Sequence, residues 1–263
     1  NATGGVIATT LTDAQGRYNF EGLTPGQYSI RQIQPAGYFQ GTQSVGSGGG
    51  DASIDDLIRA IQVGSGAELV DYDFCEIPPS TLSGRVYVDN DMDCYFDPGE
   101  EPLAGVRITL YDASGNELGS TLTNTNGEYR FEGLRPGEYT VRQTQPAGFL
   151  QGGQRAGSAG GNDTVDDVIS EINVTPGSNL VEYDFCEIPP ATLAGRVYVD
   201  SDMDCQFDPG EAPLAGVRIT LYDADGNMLG STTTNASGDY RFEGLRPGEY
   251  TVRQTQPAGY LQG

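Results

Sequence analysis

Three residue types are missing from this 263-residue chain: histidine, lysine and tryptophan. All fourteen basic residues are therefore arginines. Without histidine or lysine the usual general bases, Schiff-base nucleophiles and imidazole metal ligands are gone, which argues against an enzyme. No run approaches the roughly 18 to 20 apolar residues of a membrane span, and the opening residues do not read as a secretory leader. Positive charge is scarce too. A net charge of -23 argues against nucleic acid and anionic membrane as partners, and for cations. The apolar residues, 37% of the chain, fall in short alternating runs of Val, Ile, Leu, Tyr and Phe, so the sequence reads as folded.

What is present repeats. "YRFEGLRPGEYTVRQTQPAG" at Tyr129 to Gly148 recurs unchanged at Tyr240 to Gly259, 111 residues later, and a looser copy starts at Tyr18. Residues 80–152 and 191–263 differ at twelve of seventy-three positions, close enough to require one fold. The chain begins and ends in mid-repeat: 1–77 reads as the C-terminal part of a first repeat, 80–189 as a complete one, and 191–263 as the N-terminal part of a third. Pro78-Pro79 and Pro189-Pro190 mark the boundaries, and two prolines predict stiff joints. A longer tandem array, with neighbouring copies of the repeat as partners, is the expectation. Strand exchange, with 191–222 of one chain completing 1–77 of another, is the rival.

Within the complete repeat, "GVRITLYD" puts Val106, Ile108 and Leu110 on one face. "EYRFEG", "EYTVRQ" and "LVEYDF" alternate likewise, and turn residues separate them. About seven short strands in some 110 residues predict an all-β, immunoglobulin-like sandwich. "TVDDVISEI" differs, because Val165, Val168, Ile169 and Ile172 have helical spacing behind a Thr164…Asp167 pair. One helical turn at 164–169 is expected there, then a short strand. Gly152 to Asn162 reads as a surface loop. The sequons at Asn1, Asn162, Asn173 and Asn235 do not recur across repeats and read as chance.

The chemistry lies in "DNDMDCYFDPGE", residues 89–100. Asp89, Asp91, Asp93, Asp97 and Glu100 occupy the 1-3-5-9-12 places of a calcium loop, with the Tyr95 backbone carbonyl at place seven. The third repeat offers Asp200, Asp202, Asp204, Gln206 (again by its backbone), Asp208 and Glu211. Carboxylates packed so closely repel one another strongly without a cation, and both copies keep every one. Calcium is the expected cofactor. The departure is Cys94, and Cys205 after it, where such loops want glycine.

The order "SGRVYVDNDMDCYFDPGEEPLAGVRITLYDASGN", "NGEYRFEGLRPGEYTVRQTQPAGF" and "VEYDFCE" resembles the B domains of serine-aspartate repeat surface proteins (SdrD B-like), across the whole chain. The resemblance implies tandem prealbumin-like β-sandwiches outside the cell, on a bacterial surface, in which calcium at the ligands named above stiffens a stalk. Related collagen-adhesin domains can carry a Lys–Asn isopeptide bond assisted by a carboxylate. This chain has no lysine, and Gln143 stands near the assisting position, so that cross-link is excluded.

Two cysteines per 111 residues, with no histidine, read as disulfides rather than zinc ligands. Strand 82–88 carries the chain over about 20 Å from Cys75 toward the far pole, where the last strand should end, so Cys94–Cys186 is the favoured pair. Cys75 and Cys205 would pair beyond this chain or with a neighbouring copy. The bridge would bring Glu187 near the metal as a possible extra ligand. The main reading is a calcium-stiffened extracellular rod or filament. The alternative is an adhesin that binds a ligand directly through Tyr38, Phe149 and Tyr260, or through loop 152–162. A carbohydrate-binding module is weaker, for want of tryptophan.

Overall fold

The computed structural model of the chain describes residues 5–260, so Asn1 lies outside it. The first repeat contributes β1 (Gly26–Arg31), β2 (Phe39–Gln43), β3 (Asp51–Ile54), β4 (Leu57–Val63) and β5 (Phe74–Ile77). The middle repeat runs from β6 (Ser80–Val88) through β7 (Glu101–Pro102), β8 (Arg107–Asp112), β9 (Glu117–Leu122), β10 (Glu128–Leu134) and β11 (Gly137–Gln143). It continues with β12 (Leu150–Arg155), β13 (Asn162–Val165), β14 (Val168–Val174), β15 (Asn179–Leu180) and β16 (Asp184–Ile188). The third repeat supplies β17 (Ala191–Arg196), β18 (Arg218–Tyr222), β19 (Met228–Thr233), β20 (Asp239–Leu245) and β21 (Thr251–Gln254). Among the described residues there is no helix long and apolar enough to cross a membrane.

The middle repeat is a sandwich of two sheets. One has the order β10-β6-β16-β12, with β7 and β15 also pairing β6; the other is β13-β14-β11-β8-β9. Alternation places Leu82, Val86, Ile108, Leu110, Val141, Ile169 and Phe185 between the sheets, each at most 3% exposed. Each such side chain contributes about 1.5 to 3 kcal/mol of apolar burial. The Tyr129 hydroxyl crosses this core to donate to the Tyr183 carbonyl at 2.6 Å. Tyr18 does the same to Tyr72 in the first repeat. Smaller apolar clusters form around Ile58, Ile61 and Tyr72, and around Val197, Val217 and Ile219.

Eleven strands replace the expected seven or so, the additions being short, and three local expectations change. First, residues 164–169 form no helical turn. They close a hairpin, Val165 opposite Val168, with Asp167 in the left-handed region (φ 61°). Beyond it, β14 carries a bulge: Ile172 pairs with Tyr139 but Ile169 with Val141, and the extra residue, Glu171, has φ 58°. A bulge lets residues three apart face the same side, which reproduces helical spacing in a strand. Ala60 does the same in the first repeat at φ 58°.

Second, the glycine-rich stretch is half strand. Gly152 lies so close to the Cys186 backbone that a Cβ would strike its carbonyl, and a Cβ on Gly153 would meet Cys186 Sγ at 3.3 Å. These glycines permit β12 to pair with β16. Third, "LVEYDF" is not one strand: Glu182, at φ 64°, breaks it into β15 and β16.

Candidate calcium loop and its clamp

The loop leaves β6 at Val88 and returns at β7, whose two residues pair with Tyr87 and Val88. The acidic side chains converge. Asp89, Asp91 and Glu100 present oxygens within 4.8 Å of one another, as do Asp91, Asp93 and Asp97, with Asp91 shared. The third repeat repeats both groups with Asp200, Asp202 and Glu211, and with Asp202, Asp204 and Asp208.

Backbone amides orient these carboxylates. Asp89 Oδ1 accepts from Met92 N at 2.6 Å and Oδ2 from Cys94 N at 2.9 Å. Both Glu100 oxygens accept, from Asn90 N and Asp97 N, each at 3.0 Å. Glu211 makes the matching pair with Ser201 N and Asp208 N. A carboxylate oxygen has two lone pairs, so each keeps capacity for a cation. Partial desolvation, followed by repulsion from Asp93, Asp89 and Glu100, pushes the Asp91 carboxyl above its ordinary range. The donor set is hard oxygen throughout, which suits calcium.

Cys94 sits at φ 56° and Cys205 at φ 62°, the conformation that a glycine would take there. A residue with a Cβ adopts it at a cost of about 1 to 2 kcal/mol. In the middle repeat Cys94 is joined to Cys186, with Cα atoms 5.6 Å apart and a sequence separation of 92. Cys75 and Cys205 are free and exposed. β16 runs parallel to β6, and the Glu187 carbonyl accepts from Asp89 N at 2.8 Å. The last strand thus closes on the loop through its backbone at Asp89 and through the disulfide at Cys94.

Glu187 itself turns away from the loop. Its carboxylate is fully buried, belongs to none of the clustered groups, and is held by the Gln143 and Gln145 side-chain amides. Burial raises its pKa from the ordinary 4.5 to about 7, although both amides oppose the shift. Gln143 therefore serves a buried carboxyl, while its own Oε1 has no hydrogen-bond partner.

Two contacts were missed by ligand spacing alone. Arg85 stacks over Phe96 at 4.2 Å and pairs with Glu128 at 3.1 Å. Arg155 lies over Tyr95 at 4.6 Å and pairs with Asp184 at 2.9 Å. Both fasten the loop's aromatic residues to the sandwich. Arg196 over Phe207 at 4.4 Å repeats the first contact 111 residues on. Of the candidate adhesive aromatics, Tyr38 is 51% and Tyr260 45% exposed, and Phe149 is half-buried.

The chain is similar in sequence to known bacterial proteins. Among curated relatives, the chain is 32% identical over 265 residues to serine-aspartate repeat-containing protein F of Staphylococcus epidermidis, covering 100% of the chain and 15% of that protein. It is 30% identical to serine-aspartate repeat-containing protein E of Staphylococcus aureus (strain Mu50), covering 98% of the chain and 23% of that protein. The chain thus spans less than a quarter of these relatives. Solved structures that align include the Bacillus anthracis TIE protein (21% identity, TM-score 0.40, 96% of this chain and 40% of that one). Another is the shaft pilin SpaA of Lactobacillus rhamnosus GG (16% identity, TM-score 0.31, 69% and 90%). The SdrD B-like domain model matches residues 1–74, 80–185 and 191–263. With all three repeats matched, the chain belongs to the SdrD B-like domain family.

Proposed function

We propose that each complete repeat is a calcium-loaded clamp, and that tandem copies form a stiff extracellular rod or filament. The module is extracellular and belongs to cell-surface proteins of structural or adhesin type. The observation that carries the calcium reading is the repeated carboxylate cluster, with both oxygens of Glu100 and of Glu211 fixed by backbone amides. Asp89, Asp91, Asp93, Asp97 and Glu100 would hold the metal with the Tyr95 carbonyl; Asp200, Asp202, Asp204, Asp208 and Glu211 would do so with the Gln206 carbonyl. Calcium would supply the positive charge that lets five carboxylates share twelve residues.

In this account the metal fixes the loop and the disulfide fixes the loop to β16, whose end leads directly into Pro189-Pro190. Tension entering from the next repeat would meet that clamped pole first. The test is calorimetric titration with calcium. Asp91→Asn combined with Asp202→Asn should abolish calcium binding at both loops, and unchanged binding would overturn the reading. Direct adhesion is a second reading, supported by the exposure of Tyr38 and Tyr260. Alanine at both positions should weaken attachment to a matrix ligand without loss of stability if that reading is correct.

A further inference from the structure

The register of the strands predicts where neighbouring repeats must touch. In the last strand of the first repeat Ile77 pairs with Phe39; after Pro78-Pro79, Ser80 pairs with Leu134. Phe39 and the residue after Leu134 therefore flank a two-residue linker. At the next boundary Ile188 pairs with Leu150, and Ala191 pairs with Leu245. The geometry is the same, and an arginine follows the leucine in each case.

Both arginines reach back across the prolines. The Arg135 guanidinium lies 4.3 Å from the centre of the Phe39 ring. Arg246 Nη1 donates to the Gln151 carbonyl at 2.8 Å. The contact changes because Leu150 replaces Phe39 and offers no π face, so Arg246 takes the neighbouring carbonyl. We propose that the arginine of "LRPGE" is an orientation latch whose partner is the strand that follows the "PAG-aromatic" turn of the preceding repeat.

Each side of the latch is built before the repeats meet. On the arginine side, the Tyr139 hydroxyl donates to the Arg135 carbonyl at 2.9 Å, and Tyr250 to that of Arg246 at 2.7 Å. On the receiving side, Gln34 Nε2 donates to the Tyr38 carbonyl at 3.2 Å while also holding the Glu76 carboxylate at 2.5 Å. Gln145 makes the matching contacts with the Phe149 carbonyl and Glu187. The linker is pinned as well, since Gly177 N donates to the Pro78 carbonyl at 3.2 Å. Little conformational freedom is left for the latch to remove, so one contact per joint can set an orientation.

The first repeat supplies the natural contrast. There Thr24 stands in place of the arginine, and its hydroxyl lies 3.2 Å from Tyr28 Oη of its own loop. A threonine cannot span the linker. Arrays could therefore mix latched and unlatched joints by this one residue.

The latch adds a second source of stiffness to the rod reading and rests on that reading only for its purpose. Amide residual dipolar couplings on the calcium-loaded chain test it. Repeats joined rigidly share one alignment tensor. Arg135→Thr should separate the tensors of the first and middle repeats and leave the middle and third together; Arg246→Thr should do the reverse. Arg135→Gln, which keeps a polar side chain without the cation, should act like Arg135→Thr. Both arginines are exposed, so each repeat's own amide spectrum reports that it stays folded. Tensors that remain shared in the arginine variants would overturn the latch. Calcium removal from the unmutated chain tests the rod reading separately: tensors unchanged by chelation but separated by Arg135→Thr would sink calcium stiffening and leave the latch standing.

Discussion

The same acidic loop occurs in two settings: among the described residues, β16 closes over it in the middle repeat, and no strand does so in the third. In the middle repeat β6 extends for nine residues, Tyr87 is fully buried and Asp89 is 2% exposed. In the third repeat β17 stops after six residues, Tyr198 makes an isolated bridge to Pro213, and Tyr198 and Asp200 are only half-buried. The internal hydrogen bonds of the two loops nevertheless match one for one at Asp89 and Asp200, and at Glu100 and Glu211. The loop's carboxylate geometry is thus a local property of twelve residues. Its burial and anchorage are tertiary, supplied by β16 and the disulfide.

The disulfide gives the largest expected break between the two settings. Cys186→Ser, or reduction of the bridge, removes a loop closure of 92 residues. The chain-entropy model puts this at about 4 to 5 kcal/mol. Denaturant unfolding followed at middle-repeat amides should show that loss, while third-repeat amides, with Cys205 already free, should not move. Next comes Gly84→Ala. Its methyl would strike the backbone carbonyl of Tyr183, which β16 holds in place, whereas on Gly195 it would meet the Tyr240 ring and hydroxyl. We expect about 1 to 3 kcal/mol of destabilisation at Gly84, typical of overpacking. The loss should be smaller at Gly195, where a side chain can yield, and thermal melts of the two variants compare them.

Smaller again is the effect of a single ligand. Glu100→Gln should weaken calcium at the middle loop and Glu211→Gln at the third, each by about tenfold, or 1.4 kcal/mol. Calorimetry should find each loss confined to its own loop. A further contrast lies in pH dependence. With its folded pKa near 7 against an ordinary 4.5, Glu187 keeps its proton in the folded state while the unfolded chain has lost it. Stability from this group is therefore greatest at or below about pH 4.5 and declines as pH rises to about 7. Glu187→Gln should flatten that decline in melts across the range, because a neutral amide remains and Gln143 can turn its unpartnered Oε1 toward it. An unchanged slope would mean that the buried carboxyl is better solvated than its surroundings suggest.

Much of this was legible before any coordinates. Alternation in "GVRITLYD" and "EYTVRQ" marks β8 and β11 because each has one buried face. The acidic spacing is also local, so the convergence of Asp89, Asp91, Asp93, Asp97 and Glu100 reads directly from the chain. What misled were the places where backbone irregularity imitates another pattern. The bulge at Glu171 gives Ile169 and Ile172 helical spacing, and Ala60 repeats the effect. Gly152 and Gly153 look like loop residues but are small because the Cys186 backbone and sulfur press against them. Glu187, placed beside the loop by its cysteine neighbour, points into the opposite layer because strand side chains alternate. Arg85 and Arg155 act across strands, and no local pattern marks them.

Small-angle scattering from the chain under oxidising conditions, first with saturating calcium and then with EDTA, tests the central claim most directly. The account predicts one extended particle with calcium, and a shorter mean end-to-end distance with a broader distribution once it is removed. Identical, equally flexible profiles in the two states would contradict it.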